Sequence, residues 1–263
     1  MNSVFVRTLQ DKRWFILGWF IGFALLATVM VVFYPSMRQE GTLDQLMATM
    51  PDAFKGVMGD LADLTRFDTY LASQLFDIRA SLLAGIMAII LAMSLTVSEE
   101  EKGLLRTMLS LPVSRVSLLL QKWLAMVAII FVTLLGIVVA VYALQGTVDA
   151  AITFAAMTKL FFMTWLVLVA IATITFAAAM ITGRRAIAML VGVLVMAGSF
   201  IVSTFGMSVD WLADYEWLSL FHYFPASEVV RQGIETNSVV VLGSLTAISL
   251  AASLIVFRRR DVN

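Results

Sequence analysis

Six stretches of the chain consist almost entirely of Leu, Ile, Val, Met, Phe, Ala and other apolar residues: 14–34, 82–98, 123–144, 158–181, 186–206 and 239–257. A helix rises about 1.5 Å per residue, so crossing a hydrocarbon core about 30 Å thick takes about 20 apolar residues, with a usual range of about 17–25. The pattern therefore predicts six membrane-spanning helices in one all-α domain over residues 1–263. The second stretch is the shortest. Starting it nearer Leu75 would bring Asp77 and Arg79 into its outer end. The first is longer than the apolar core of a signal peptide, about 7–15 residues, and ends in YPSMRQE with no small-x-small cleavage pattern, so it reads as a retained span. An even number of crossings leaves both termini on one side.

Between the spans lie two larger polar segments. Residues 36–79 are acidic and contain the helix-compatible pieces TLDQLMATM and PDAFKGVMGDLADL, the second with Pro51 where a first helical turn tolerates it. Residues 207–236 mix acids with Trp211, Tyr215, Trp217, Phe221, His222, Tyr223 and Phe224, a composition suited to the headgroup region. They are expected to form a short re-entrant or interfacial helix pair. The opening NSVFVRTLQDKR predicts an amphipathic helix on the membrane surface. No internal repeat or low-complexity linker divides the chain.

Composition agrees with this placement: 61% of residues are hydrophobic and 14% charged, against about 45–50% and 25% in soluble domains. The 18 basic and 18 acidic residues cancel, so net charge offers nothing to a nucleic acid. Their distribution is more informative. Twelve Lys and Arg fall in the N-terminal segment, the 99–122 loop, the connection between spans four and five, and the tail; with the five acids there, that face carries +7 and the other −7. The bias of Lys and Arg toward cytoplasmic loops predicts that both termini and the 99–122 loop are cytoplasmic. The chain has no cysteine, so disulfides, thiolate metal sites and cysteine nucleophiles are excluded.

One polar stretch stands out, SEEEKGLLRTMLSLPVSR at 98–115. Ser98 suits the cap of a helix starting at Glu99, and the three glutamates favour the positive end of that helix's dipole. Leu104, Leu105, Met108, Leu109 and Leu111 recur at helical spacing, and Pro112 stops the run. The result is a short helix along the membrane surface. Its plainest role is a solvated connection; its sharper role is a docking element.

At these residues the chain resembles the ABC-2 type permeases, the membrane subunits of ABC transporters. Glu99, Glu100, Glu101, Gly103, Leu104, Leu105, Leu109, Pro112, Ser114 and Arg115 fall on that family's pattern after the second span. The order of features agrees over most of the chain, from the amphipathic start to the tail VFRRRD. The resemblance implies that 99–115 is a coupling helix seated in a groove of a separate ATPase subunit, with Arg106 and Arg115 as charged contacts and the Gly183, Arg184, Arg185 turn as a second one. It also implies a dimer, with a second copy or a similar permease, acting as an exporter in the plasma (inner) membrane. The sequence has no glycine-rich loop followed by Lys and Ser or Thr, so ATP and magnesium belong to the partner and this chain carries no catalytic residue and no cofactor.

Gly18 with Gly22, and Ala188 with Gly192, form small-xxx-small pairs that let helices approach closely in lipid. Such pairs serve packing within a protomer as readily as between protomers. The family's arrangement, with spans one and five at the dimer seam, makes all four seam candidates. For the pathway, Gln74, Asp77 and Arg79 are the candidates at the outer edge of span two. The serines and threonines deeper in, such as Thr164, Thr173 and Thr175, are expected to bond to their own backbone. Scarce intramembrane charge disfavours an ion-gradient-driven carrier, the main alternative; a family assembly that senses a compound or releases lipid or protein is another. Met37, Met47, Met50 and Met58 are soft groups but read as packing rather than a metal site. His222 reads as an interfacial histidine, since no serine or carboxylate is arranged around it as a dyad.

Overall fold

The computed structural model describes residues 4–38, 66–101, 114–205 and 214–259. Among them every regular element is helical. Six helices are long and apolar enough to cross a membrane. The chain opens with α1 (Val4–Asp11), turns at Lys12 and enters α2 (Arg13–Arg38), the first span. The second span is built from α3 (Phe67–Tyr70), a π-helical stretch (Leu71–Ala80) and α4 (Ser81–Ser94), and continues past a turn at Leu95–Thr96 into α5 (Val97–Glu101). Spans three to six are α6 (Arg115–Leu144), α7 (Phe154–Thr182), α8 (Arg185–Phe205) and α10 (Thr236–Arg259). The six-residue α9 (Ala226–Arg231) precedes the last.

Span two therefore begins at Phe67, not at Leu82, and takes up residues that the hydropathy pattern gives to the outer segment 36–79. Charge at Asp68, Asp77 and Arg79 breaks the apolar run in the sequence. In the fold those side chains find partners, and the helix passes through them. The expected helix pair in 207–236 is, among the described residues, two single 3₁₀ turns (Glu216–Leu218 and Phe221–Tyr223) and α9. They pack on the end of α8: the Ser219 hydroxyl donates to the Ser199 carbonyl at 2.7 Å, and Leu220 N–H donates to the Ser199 hydroxyl at 3.1 Å. Outer pieces in 39–65, and with them Met47, Met50 and Met58, lie outside the described residues, as does the side chain of Met37.

α7 is the hub, packing on α4, α6, α8 and α10, while α2 lies along α6. Two indoles stitch α6 to α7: Trp123 Nε1–H donates to Thr173 Oγ1 at 2.9 Å and Trp165 Nε1–H to the Val127 carbonyl at 3.2 Å. Where α2 meets α6, a Cβ on Gly136 would run into the Phe20 carbonyl and come within 3.2 Å of Ala24 N, so the close crossing requires glycine. The deep threonines behave as expected: Thr164, Thr173 and Thr175 each donate to the carbonyl four residues back. The threonines thus shed their polarity locally, leaving a core of interdigitated apolar side chains.

Candidate functional site

The acidic run after span two is helical but starts earlier than its capping pattern suggests. α5 begins at Val97, with Glu99 and Glu100 N–H both donating to the Thr96 carbonyl, so Ser98 lies inside the first turn rather than capping it. Because α5 follows α4 after only two residues, the glutamates ride on the end of span two. The side chains of Glu99 and Glu101 face different neighbours.

Glu99 turns inward. Its carboxylate accepts from Nζ of Lys122 in the second turn of α6, and the same ammonium donates to the Leu95 carbonyl at 3.2 Å, at the C-terminal end of α4. Lys122 is fully buried, at 0% exposure, while the Glu99 side chain is 15% exposed. A lysine is almost never fully buried without a partner, because an isolated ammonium in an apolar interior is strongly disfavoured. Here the glutamate supplies the opposite charge, and the carbonyl at the helix end adds the negative pole of the dipole. In the sequence Lys122 is only one of several basic residues of a loop. The signal that singles it out is its position: it lies one residue before an apolar span and twenty-three after the first acid, a separation no local pattern connects.

Glu101 turns sideways, with its carboxylate 3.5 Å from Nη1 of Arg185, the first residue of α8. Both are about half exposed, so solvent screens this pair. The structure thus brings together two of the sequence-derived contact elements, the acidic run and the Gly183–Arg185 turn. Gly183 makes that turn: at φ 63° it ends α7 in the left-handed conformation, with its N–H on the Ala179 carbonyl at 2.8 Å. Arg184 is exposed beside it.

On the return side, Ser114 is the N-cap of α6, its hydroxyl accepting from Ser117 N–H at 3.2 Å, and Arg115 is the first helical residue. A cap position explains the small hydroxyl residue at Ser114. α1 docks here too: Phe5 N–H donates to the Gln121 side-chain carbonyl at 3.3 Å. Gly103, Arg106 and Pro112 lie outside the described residues.

At the opposite face, the π-helical stretch sets the three pathway candidates. Five-residue spacing brings Arg79 one turn from Gln74, and its guanidinium donates to the Gln74 side-chain carbonyl at 2.8 Å and to its backbone carbonyl. Asp77 accepts from Ala226 N–H at 2.7 Å, at the start of α9. All three thus hold local structure together, Asp77 by tying the outer segment to span two. His222 Nδ1 sits 3.7 Å from the Glu216 carboxylate at the exposed edge of that segment.

The two small-residue pairs part company. Gly18 and Gly22 are exposed, and a Cβ added at either would have nothing within 4 Å; they lie along a stripe with Trp14, Leu17, Ile21 and Leu25. Ala188 is buried, and a Cβ at Gly192 would meet Thr175 Oγ1 at 2.6 Å and Ile89 at 3.1 Å. The α8 pair therefore faces α4 and α7 of its own protomer, which removes Ala188 and Gly192 from the seam. The outer face of α8 is instead Met189, Leu190, Val193 and Leu194.

A family model described as "ABC-2 family transporter protein" matches residues 7–262, and the chain belongs to that family. No curated protein matches it. With six helices able to span a membrane among the described residues, it is a multi-pass membrane protein, and its family makes it a permease subunit of an ABC transporter, which implies pairing with an ABC ATPase subunit.

Proposed function

We propose that this permease is the membrane half of an ATP-driven exporter in a plasma membrane, with both termini and residues 99–115 in the cytoplasm. The observation that carries the reading is the pairing of Glu99 with Lys122 and of Glu101 with Arg185, which links the end of span two to the starts of spans three and five. A push delivered to 99–115 by closure of the ATPase around nucleotide is then shared at once among three spans. Rigid helices carry such a displacement across the bilayer as a body.

The three glutamates divide this labour. Glu99 is an internal strut, Glu101 a lateral tie, and Glu100 with Arg106 and Arg115 meets the ATPase. ATP and magnesium are held by that partner, since this sequence contains no phosphate-binding loop. A second copy, or a similar permease, completes the pathway. The exposed stripe of Gly18 and Gly22 supports a seam along span one.

The test is the double reversal Glu100→Lys with Glu101→Lys in the full transporter. Loss of the ATPase from the purified complex, or loss of permease-stimulated ATP turnover, is the expected result. Unchanged copurification together with full turnover would sink the assignment. Orientation has its own check: the chain lacks cysteine, so Lys102→Cys can be labelled alone. Labelling by an impermeant maleimide from outside intact cells would reverse the topology.

A further inference from the structure

In the elbow where α1 turns into α2, a groove of about 650 Å³ opens on the surface of the bundle. Its walls are Leu9 of α1, Ile16, Leu17 and Phe20 of α2, and Val132 of α6. The one charged side chain in its lining is Arg13, whose guanidinium lies 5.6 Å from the centre of the Trp14 ring. We propose that this groove holds the headgroup-proximal half of one acyl chain of an anionic phospholipid, with the lipid phosphate on Arg13.

Size, wall chemistry and place point to the same occupant. The volume lies within the range of small-molecule sites, about 300–1,000 Å³. From Arg13 to Phe20 the helix rises about 10 Å at about 1.5 Å per residue, which suits part of an acyl chain and not a compact polar solute. The walls offer a methylene chain only apolar contacts, and the mouth offers a guanidinium, the side chain best matched to a phosphate.

Arg13 is also at the right depth. It is the first residue of the first span, and Trp14 beside it is 71% exposed, as expected of an aromatic at the headgroup level. α1 leads into the same elbow with its Arg7 paired to Asp11 at 3.9 Å, and Lys12 forms the turn itself. The excess of basic residues on this face favours an anionic headgroup over a zwitterionic one, at about 1 kcal/mol per Lys or Arg near the surface, or about fivefold in binding.

The experiment is native mass spectrometry of the full chain released from detergent, titrated with phosphatidylglycerol and with phosphatidylcholine of identical acyl chains. The first phosphatidylglycerol is expected to bind about fivefold more tightly than the first phosphatidylcholine. Arg13→Gln should bring the two to equality, and Arg13→Lys should retain part of the preference. Val132→Trp, which fills the groove and leaves Arg13 in place, should remove the tightest-bound phosphatidylglycerol. Arg184→Gln, an exposed basic residue on the same face, should change neither. Equal binding of the two lipids by the native chain, or a preference that survives Arg13→Gln or Val132→Trp, overturns the site. Displacement of the lipid by water-soluble glycerophosphoglycerol at equal concentration overturns the acyl-chain part. Disulfide cross-linking of Ile16→Cys, a groove wall outside the Gly18 and Gly22 stripe, between two copies, with no preference for phosphatidylglycerol, gives the groove to a second protomer and overturns the proposal.

Discussion

The ammonium of Lys122 closes the end of span two onto the start of span three: it donates to the Glu99 carboxylate and to the Leu95 carbonyl at once. No water-filled surface surrounds it, since the lysine is completely covered. Such a pair adds little net stability compared with apolar side chains of the same shape, yet removing one partner strands the other charge.

Lys122→Met or Glu99→Met alone is therefore expected to destabilise the protein by about 3–5 kcal/mol. The double variant Glu99→Met with Lys122→Met should recover most of that loss. Thermal unfolding in detergent of the four proteins measures the coupling, and additive losses in the double variant would show that the pair does not act as one unit.

The Glu101–Arg185 pair should behave differently, because it is half exposed. Glu101→Gln is expected to shift stability by less than about 1 kcal/mol. If coupling passes through this tie, stimulated ATP turnover should fall while the melting temperature holds. Exchanging the charges, Glu101→Arg with Arg185→Glu, should restore turnover. A large drop in melting temperature for the single variant would mean that the pair is structural.

Glycines on opposite sides of the α2 packing predict opposite outcomes. Gly136→Ala drives a methyl into the Phe20 carbonyl and should cost about 1–3 kcal/mol as α2 and α6 separate. Gly18→Ala has open space around it and should leave protomer stability unchanged. Differential scanning fluorimetry of the two variants decides this directly.

The same geometry distinguishes the two small-residue pairs. Gly18→Leu with Gly22→Leu should leave the protomer folded and weaken its association with a second protomer, read by cross-linking in membranes. Gly192→Leu, facing Thr175 and Ile89, should unfold the protomer instead. A folded, dimeric Gly18→Leu/Gly22→Leu protein would move the seam away from span one.

Asp77 offers a local test at the other face. Its carboxylate satisfies the Ala226 N–H at the start of α9, a contact of the helix-capping kind worth about 1 kcal/mol. Asp77→Ala should loosen α9 without unfolding the bundle. In this cysteine-free chain, faster maleimide labelling of Val229→Cys reports it. Unchanged labelling would mean that apolar packing alone holds the segment.

Much of the candidate site is legible in the sequence because its chemistry is local. The acidic triplet and the polar turn near Gly183 stand out within a few residues, but the cap that the sequence places at Ser98 is made in the fold by Ser114, and Gly183 ends its helix in the left-handed conformation. What stays hidden is pairing. Asp68, Asp77 and Arg79 interrupt an apolar run, so span two reads as starting at Leu82, while the fold gives each a partner and starts the helix at Phe67. Likewise the spacing of Ala188 and Gly192 says that something approaches closely, but not whether that neighbour is the same protomer.

The sequence alone determined the six crossings, their sidedness bias and the polar segment between spans two and three. Transfer of a long apolar run into hydrocarbon is a property of the run itself, and a helix satisfies its backbone without help from elsewhere. Only the tertiary structure decided that Lys122 belongs to Glu99, that Glu101 meets Arg185, and which glycine faces outward. A charge or a missing Cβ has meaning only through what lies across from it, and those neighbours come from spans that are far apart along the chain.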